Sequence, residues 1–177
     1  QLMPCFVAVN NTRTKDMALV AKGHQRVLRA RLSDAQFFYR SDLEHKMDAW
    51  NERLKGVLFQ AQLGSMHAKV QRVQQIATQL ADVAAPELKP LVTRAAQLCK
   101  ADLVSQVVYE FPNLQGIMGR HYATAAGEHP DVALAIEEHY RPTYSGGPLP
   151  QNRIGALLAL GVFYLSRWWQ GAHHGAG

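Results

Sequence analysis

Histidine and cysteine have the widest chemical scope in this chain, and their spacing is the first thing to test. There are eight histidines. His173 and His174 sit in a Gly/Ala-rich tail and read as chain-end composition. His24, His45 and His129 fall near predicted helix boundaries or at exposed positions. His67, His121 and His139 remain, and no pair of them has HExxH or HxxxH spacing. A metal needs three or four converging ligands, and chain order alone does not show convergence. Cys5 and Cys99 lie far apart and form no CxxC pair. That points to a reducing compartment and away from a structural zinc. Cys99 stands in an apolar helical context and reads first as a small core residue. Lys100 beside it leaves open a thiol of lowered pKa. The sequence has no GxSxG, P-loop or dinucleotide fingerprint, so no catalytic constellation emerges from the residues.

Basic side chains are better placed for binding than these groups are for catalysis. Nineteen Lys and Arg against fourteen Asp and Glu give a net charge of +5, which permits a nucleic-acid partner without demanding one. Arg26, Arg29, Arg31, Lys69, Arg72, Arg94, Lys100, Arg120 and Arg141 all fall on predicted helices or at their ends, with Tyr122, Tyr140 and Tyr144 near the later ones. Arginine bonds phosphate bidentately, and exposed aromatics stack unpaired bases. A solvated basic face and a protein-partner interface remain open beside the RNA reading.

The elements that carry these residues read as helices. A chain of 177 residues buries roughly 70% of its unfolded surface and folds without metal or disulfide. Cys5 to Val9 predicts a short strand closed by Asn10-Asn11-Thr12. Thr14-Lys15-Asp16 starts a helix that Gly23 is expected to interrupt, and a second runs from about His24 into the forties. Its apolar stripe is Leu28, Leu32, Ala35, Tyr39 and Leu43. The 54–59 stretch is ambiguous. Gly64-Ser65 opens a helix with Met66, Val70, Val73, Ala77 and Leu80 on one face. Glu87 to Glu110 predicts one further helix, and 120–126 another. Pro130 begins a helix with His129 before it, 142–150 is a loop, and Ile154, Leu157, Leu158, Gly161, Leu165 and Trp168 mark the last. One strand and about six helices, with no βαβ alternation, make an all-α domain. The longest apolar run, 154–165, is too short to span a bilayer.

One stretch stands apart: Glu110-Phe111-Pro112-Asn113-Leu114-Gln115-Gly116-Ile117-Met118-Gly119-Arg120. Pro112 stops a helix. Gly116 and Gly119 leave a strip without side chains where another backbone can approach. The sequence EFPNLQGIMGRHYA closely resembles the beta subunit of the bacterial two-subunit glycyl-tRNA synthetase. NNTRTKD with RVLRARLSDAQFFYRSDL in residues 10–43, LKGVLFQAQLGSMHAKVQRV at 54–73, AAQLCKADL at 95–103 and VALAIEEHYRPTYSGGPLP at 132–150 resemble the same family, in order.

The resemblance implies an HD-domain-like helical bundle over 15–160, a lead-in strand from a preceding domain over 1–14, and a tail outside the family over 161–177. An active HD enzyme holds metal through His, His-Asp and a later Asp. Lys69 stands at the first such position here, and Cys99-Lys100 replaces the His-Asp pair. An ammonium at two positions repels a divalent cation, so a metal-free relic is expected. Asp102 is the one carboxylate nearby. The implied function is part of a glycine–tRNA ligase: ATP and Mg²⁺ serve the whole enzyme, with no cofactor in this region. Its partners are glycine tRNA and an alpha subunit in an α2β2 assembly, and its location is the cytoplasm, away from membranes. No catalytic residue is expected here, and tRNA support falls to the nine basic residues above. A metal-dependent phosphohydrolase and a structural inter-domain scaffold are the alternatives. The tail GVFYLSRWWQGAHHGAG departs from the family pattern and is expected to be a frameshift, a cloning junction or a vector-encoded end.

Overall fold

A computed structural model describes residues 3–174, with side chains described up to residue 165. The expectations for Trp168, His173 and His174 therefore fall outside the described side chains. The chain divides into two compact units, Gln1–Arg40 and Ser41–Gly177.

The first unit is a lead-in followed by most of α1, Met17–Asp42. Asp16 opens the helix: its Oδ1 accepts from the Leu19 amide at 3.0 Å. The expected strand at 5–9 is absent. Val7 and Val9 are almost fully exposed, and a segment with no partner ladder gains nothing from strand geometry. The expected break at Gly23 is also absent, because α1 runs through it. An interior glycine costs only about 1 kcal/mol, which a 26-residue helix absorbs.

The second unit is helical apart from one small hairpin. After α2 (Met47–Arg53), β1 (Leu58–Gln60) pairs antiparallel with β2 (Gly64–Ser65), which resolves the ambiguous 54–59 stretch as a single 3-10 turn and a strand. Ser65 then caps α3 (Met66–Ala84), its Oγ accepting from the Ala68 amide at 3.2 Å. There follow α4 (Lys89–Leu98), α5 (Gln106–Glu110), α6 (Ile117–Ala125), α7 (Pro130–Glu138) and α8 (Arg153–His174). The expected single helix over 87–110 is broken between α4 and α5 by a 3-10 turn at Ala101–Val104. Ser105 enforces the break. Its Oγ donates to the Asp102 carbonyl at 2.7 Å and accepts from the Val108 amide at 3.2 Å, capping α5.

Helices α3, α4, α7 and α8 pack on one another, and α6 packs on α7. Their shared core is built from Val73, Ala77, Val92, Leu98, Ile136 and Leu158, all essentially inaccessible to solvent. Trp50 of α2 seals one end, edge-on to Tyr122 with ring centroids 4.9 Å apart.

Candidate functional site

Two sets of residues bear on function: polar groups inside the second unit, and the basic side chains. The interior set gathers where α3, α4, the 3-10 turn and α7 meet. Lys100 is only 7% exposed, and its Nζ lies 3.6 Å from the Tyr140 ring centroid. Burial pushes its amine down to about 8. Lys69, half-buried on α3, sets its Nζ 3.9 Å from the Phe59 ring centroid, and burial lowers its pKa too. Both cations thus rest on aromatic faces. Cys99 is fully buried. Burial pushes the thiol up to about 11 and outweighs the nearby Lys100 ammonium, so the activated thiolate left open by the sequence is not formed. His139 Nδ1–H donates to the Ile136 carbonyl at 2.7 Å, and its Nε2 is buried without a partner. Burial holds this imidazole well below its usual range, hence neutral.

Asp102 is the central member. Its side chain is wholly inaccessible, and Oδ2 accepts from the Gly116 amide at 2.6 Å and the Gly119 amide at 3.1 Å. Burial raises its pKa against the pull of those two amides and of Lys100. This contact explains the two glycines. Gly116 has φ +80°, and a Cβ there would stand 2.6 Å from the Tyr140 ring. A Cβ on Gly119 would stand 2.7 Å from Ile136 Cγ2 and 3.1 Å from Asp102 Oδ2. The EFPNLQGIMGR stretch is thereby a docking turn: it brings two amides of the α6 start onto a buried carboxylate.

The cluster does not fit a metal. The Lys69 ammonium lowers the Lys100 pKa by repulsion, and both cations would repel a divalent ion in the same way. Among the described residues, no three His, Cys, Asp or Glu side chains converge into a metal-holding group. His67 lies 3.9 Å from Glu52, while His121 is exposed.

The basic residues separate into two groups. In the second unit they are engaged internally. Arg94 donates to Asp48 at 2.7 and 3.0 Å, and also to Glu128 and Gln97. Arg72 donates to the Leu63 carbonyl at 2.9 Å, pinning the hairpin. Arg120 meets Glu137 at 3.0 Å, and Arg141 meets both Glu137 and Glu138. Lys69 and Lys100 sit on rings, as described. Arg26, Arg29 and Arg31 are exposed on α1. Seven Lys and Arg against two Asp and Glu lie in residues 1–40, and twelve against twelve in 41–177. The whole net charge of +5 therefore belongs to the first unit.

Two further carboxylates escaped the sequence reading. Asp42 is buried and accepts from the Gln106 and Val107 amides at 2.9 and 3.0 Å and from the Tyr122 hydroxyl at 2.7 Å. Glu138 is buried and accepts from the Gln151 and Asn152 amides at 3.0 and 2.9 Å, where α8 begins. The amides and the hydroxyl that hold them lie more than ten residues away in the chain; only the Arg141–Glu138 pair is local.

The second unit is a helical module that encloses its ionisable groups: Cys99, Lys100, Asp102, Glu138 and His139 are all buried. The comparisons give the family. The model described as "Glycyl-tRNA synthetase beta subunit" matches residues 1–162, and the chain belongs to that family. Similar proteins are the "Glycine--tRNA ligase beta subunit" of Desulforapulum autotrophicum, 59% identical over 162 residues, and that of Desulfatibacillum aliphaticivorans, 55% identical over 163. The protein of the same name from Geobacter sulfurreducens is 51% identical over 160 residues. Each alignment covers 90% of this chain but only 23–24% of the relative, so the chain spans about a quarter of their length. Among the described residues no helix is long and apolar enough to cross a membrane.

Proposed function

We propose that this region serves a cytoplasmic glycine–tRNA ligase by supporting its tRNA, and that it carries out no chemistry itself. The ligase would join glycine to tRNA at the expense of ATP with Mg²⁺, in an α2β2 assembly whose alpha subunit activates glycine. The region would contribute a helical bundle of HD-like type in which lysines have taken the place of a metal. The observation that carries this reading is the closed interior. Cys99, His139 and Asp102 are inaccessible, and two ammonium groups stand beside them, so this interior cluster presents none of its ionisable groups to a substrate. What remains for a partner is the surface, and the exposed excess of positive charge lies on one unit.

The test is binding of the 177-residue chain to glycine tRNA by fluorescence anisotropy across a salt series, with a non-cognate tRNA beside it. Phosphate contacts predict log affinity falling linearly with log salt. Absence of binding even at low salt refutes tRNA support by this region. Elemental analysis separates the phosphohydrolase alternative, which requires a stoichiometric bound metal.

A further inference from the structure

We propose that one face of α1, carrying Lys22, Arg26 and Arg29, is the surface that grips the RNA phosphate backbone. This rests on the tRNA-supporting reading above and narrows it to one stripe. At about 100° per residue, positions 22, 26, 29 and 33 fall within an arc of about 60°, and the three cations span about 10 Å along the axis. Lys22, Arg26 and Arg29 are all exposed, and no ion pair engages them among the described residues. That separates them from Arg94, Arg120 and Arg141, whose guanidiniums are occupied by carboxylates. Arg31 falls on the opposite side of the helix and is not part of the stripe.

The surroundings favour a polyanion. The lead-in packs mainly along a different flank of α1: Asn10 Oδ1 lies 3.1 Å from His24 Nε2, Pro4, Cys5 and Phe6 share clefts with Val20, Ala21 and Leu28, and of the three cations only Arg29 also borders the lead-in. The cationic stripe stays open as a groove of about 740 Å³. Gly23 and Ala30 line one side of this groove, with Ser33 at its end. A Cβ on Gly23 would meet nothing within 4 Å, so a backbone of phosphates can lie close to the helix. Of the two acidic residues in this unit, Asp16 caps the helix and Asp34 points about 120° away from Lys22 around the axis. The local field is positive without an internal counter-ion, and cations so arranged match successive phosphates of one strand.

The experiment compares three proteins in the tRNA anisotropy assay: the unaltered chain, the triple variant Lys22→Gln, Arg26→Gln, Arg29→Gln, and a control, Lys55→Gln, Lys89→Gln, Arg153→Gln. The control removes the same charge from the second unit. Glutamine keeps helix propensity close to that of Lys and Arg, and far-UV circular dichroism checks helix content. The stripe variant is expected to lose at least about 10-fold in affinity at moderate salt, and its log–log salt slope is expected to fall by about 2–3. The control should change affinity by less than about 3-fold. If the unaltered chain binds and both triple variants bind equally well, or lose affinity equally, the stripe is wrong while the tRNA reading stands. If the unaltered chain shows no salt-dependent binding at all, both fall. Binding of polyglutamate at the same affinity as tRNA, lost in the stripe variant, would overturn the RNA assignment in favour of an acidic protein partner.

Discussion

Replacing Asp102 by Ala tests whether the glycine-rich turn is held by its buried carboxylate. The two amides on Oδ2, those of Gly116 and Gly119, belong to the start of α6, where the first amides have no partner inside the helix. Close packing around Gly119 leaves no room for a replacement acceptor: Ile136 already lies where a methyl would go. A buried donor left unsatisfied costs about 1–3 kcal/mol, so two cost about 2–6 kcal/mol. Removing a buried charge returns part of this, because burial already penalises the ionised form. The expected net loss is therefore about 2–4 kcal/mol. Asp102→Asn keeps an oxygen that can accept from both amides and gives up only the charge assistance, so its cost should be about half. Urea unfolding of the 177-residue chain, followed by far-UV circular dichroism, measures both variants against the unaltered protein. A midpoint shift at constant slope reports stability alone. If Asp102→Ala lies within about 0.5 kcal/mol of the unaltered chain, or if Asn costs as much as Ala, the carboxylate does not hold the turn.

Other expectations follow from the same interior. Gly119→Ala places a methyl 2.7 Å from Ile136 Cγ2 and should cost about 1–3 kcal/mol by overpacking; in thermal melts the double variant with Ile136→Ala should lose less than the sum of the singles. Lys100 sits at about 8 in the folded chain against an ordinary 10.5, so between those values the unfolded state binds more protons and stability rises with pH. Cys99, raised from 9.0 to about 11, keeps its proton in the folded state and opposes that rise from pH 9 upward. The gain should therefore be confined to about pH 8–9, with a ceiling of about 1.4 kcal/mol. It should shrink in Lys100→Met, leaving only what the lowered Lys69 contributes, as urea midpoints across that range will show. Native alkylation with iodoacetamide should give a single adduct by mass spectrometry, at exposed Cys5, with buried Cys99 reacting only after denaturation; two native adducts contradict the closed interior. Arg94→Ala should destabilise the chain by about 1–2 kcal/mol, through release of Asp48 and Glu128, and leave tRNA affinity unchanged in anisotropy.

Local rules made several elements legible before any coordinates. Gly64-Ser65 announced α3, and Ser65 is its cap. Pro130 announced α7, whose cap His129 accepts from the Asp131 amide at 3.2 Å. The stripe of Ile154, Leu157 and Leu158 is the buried face of α8. The same rules failed where a remote partner decided. Cys5 to Val9 has strand-forming residues but no ladder to join. The apolar spacing of 87–110 is helical, but Ser105 and Asp102 turn the chain, and the reason for that turn lies at Gly116 and Gly119. Those two glycines were visible as a strip for close approach; the carboxylate that approaches was not, because fourteen and seventeen residues separate the partners.

The basic residues show the same division most sharply. On sequence, Arg26 and Arg94 are equivalent: each is an arginine on a predicted helix in a chain of net charge +5. In the fold, Arg94 is spent on Asp48, Glu128 and Gln97, and Arg120 and Arg141 share Glu137. A guanidinium already bonded to carboxylates must give up those bonds to take a phosphate, and the carboxylates left behind repel the same phosphate. Net charge is thus a poor guide to a binding face, and unpaired charge a better one. By that measure the second unit, with twelve cations against twelve anions, is electrostatically self-contained. The first unit has a surplus of five cations, and only two of its residues can answer it. On the proposed reading, an RNA backbone would supply the missing anions at a spacing a helix face can match. The salt slope of the unaltered chain should therefore reflect residues 1–40 almost alone, and neutralising Lys22, Arg26 and Arg29 should remove most of it.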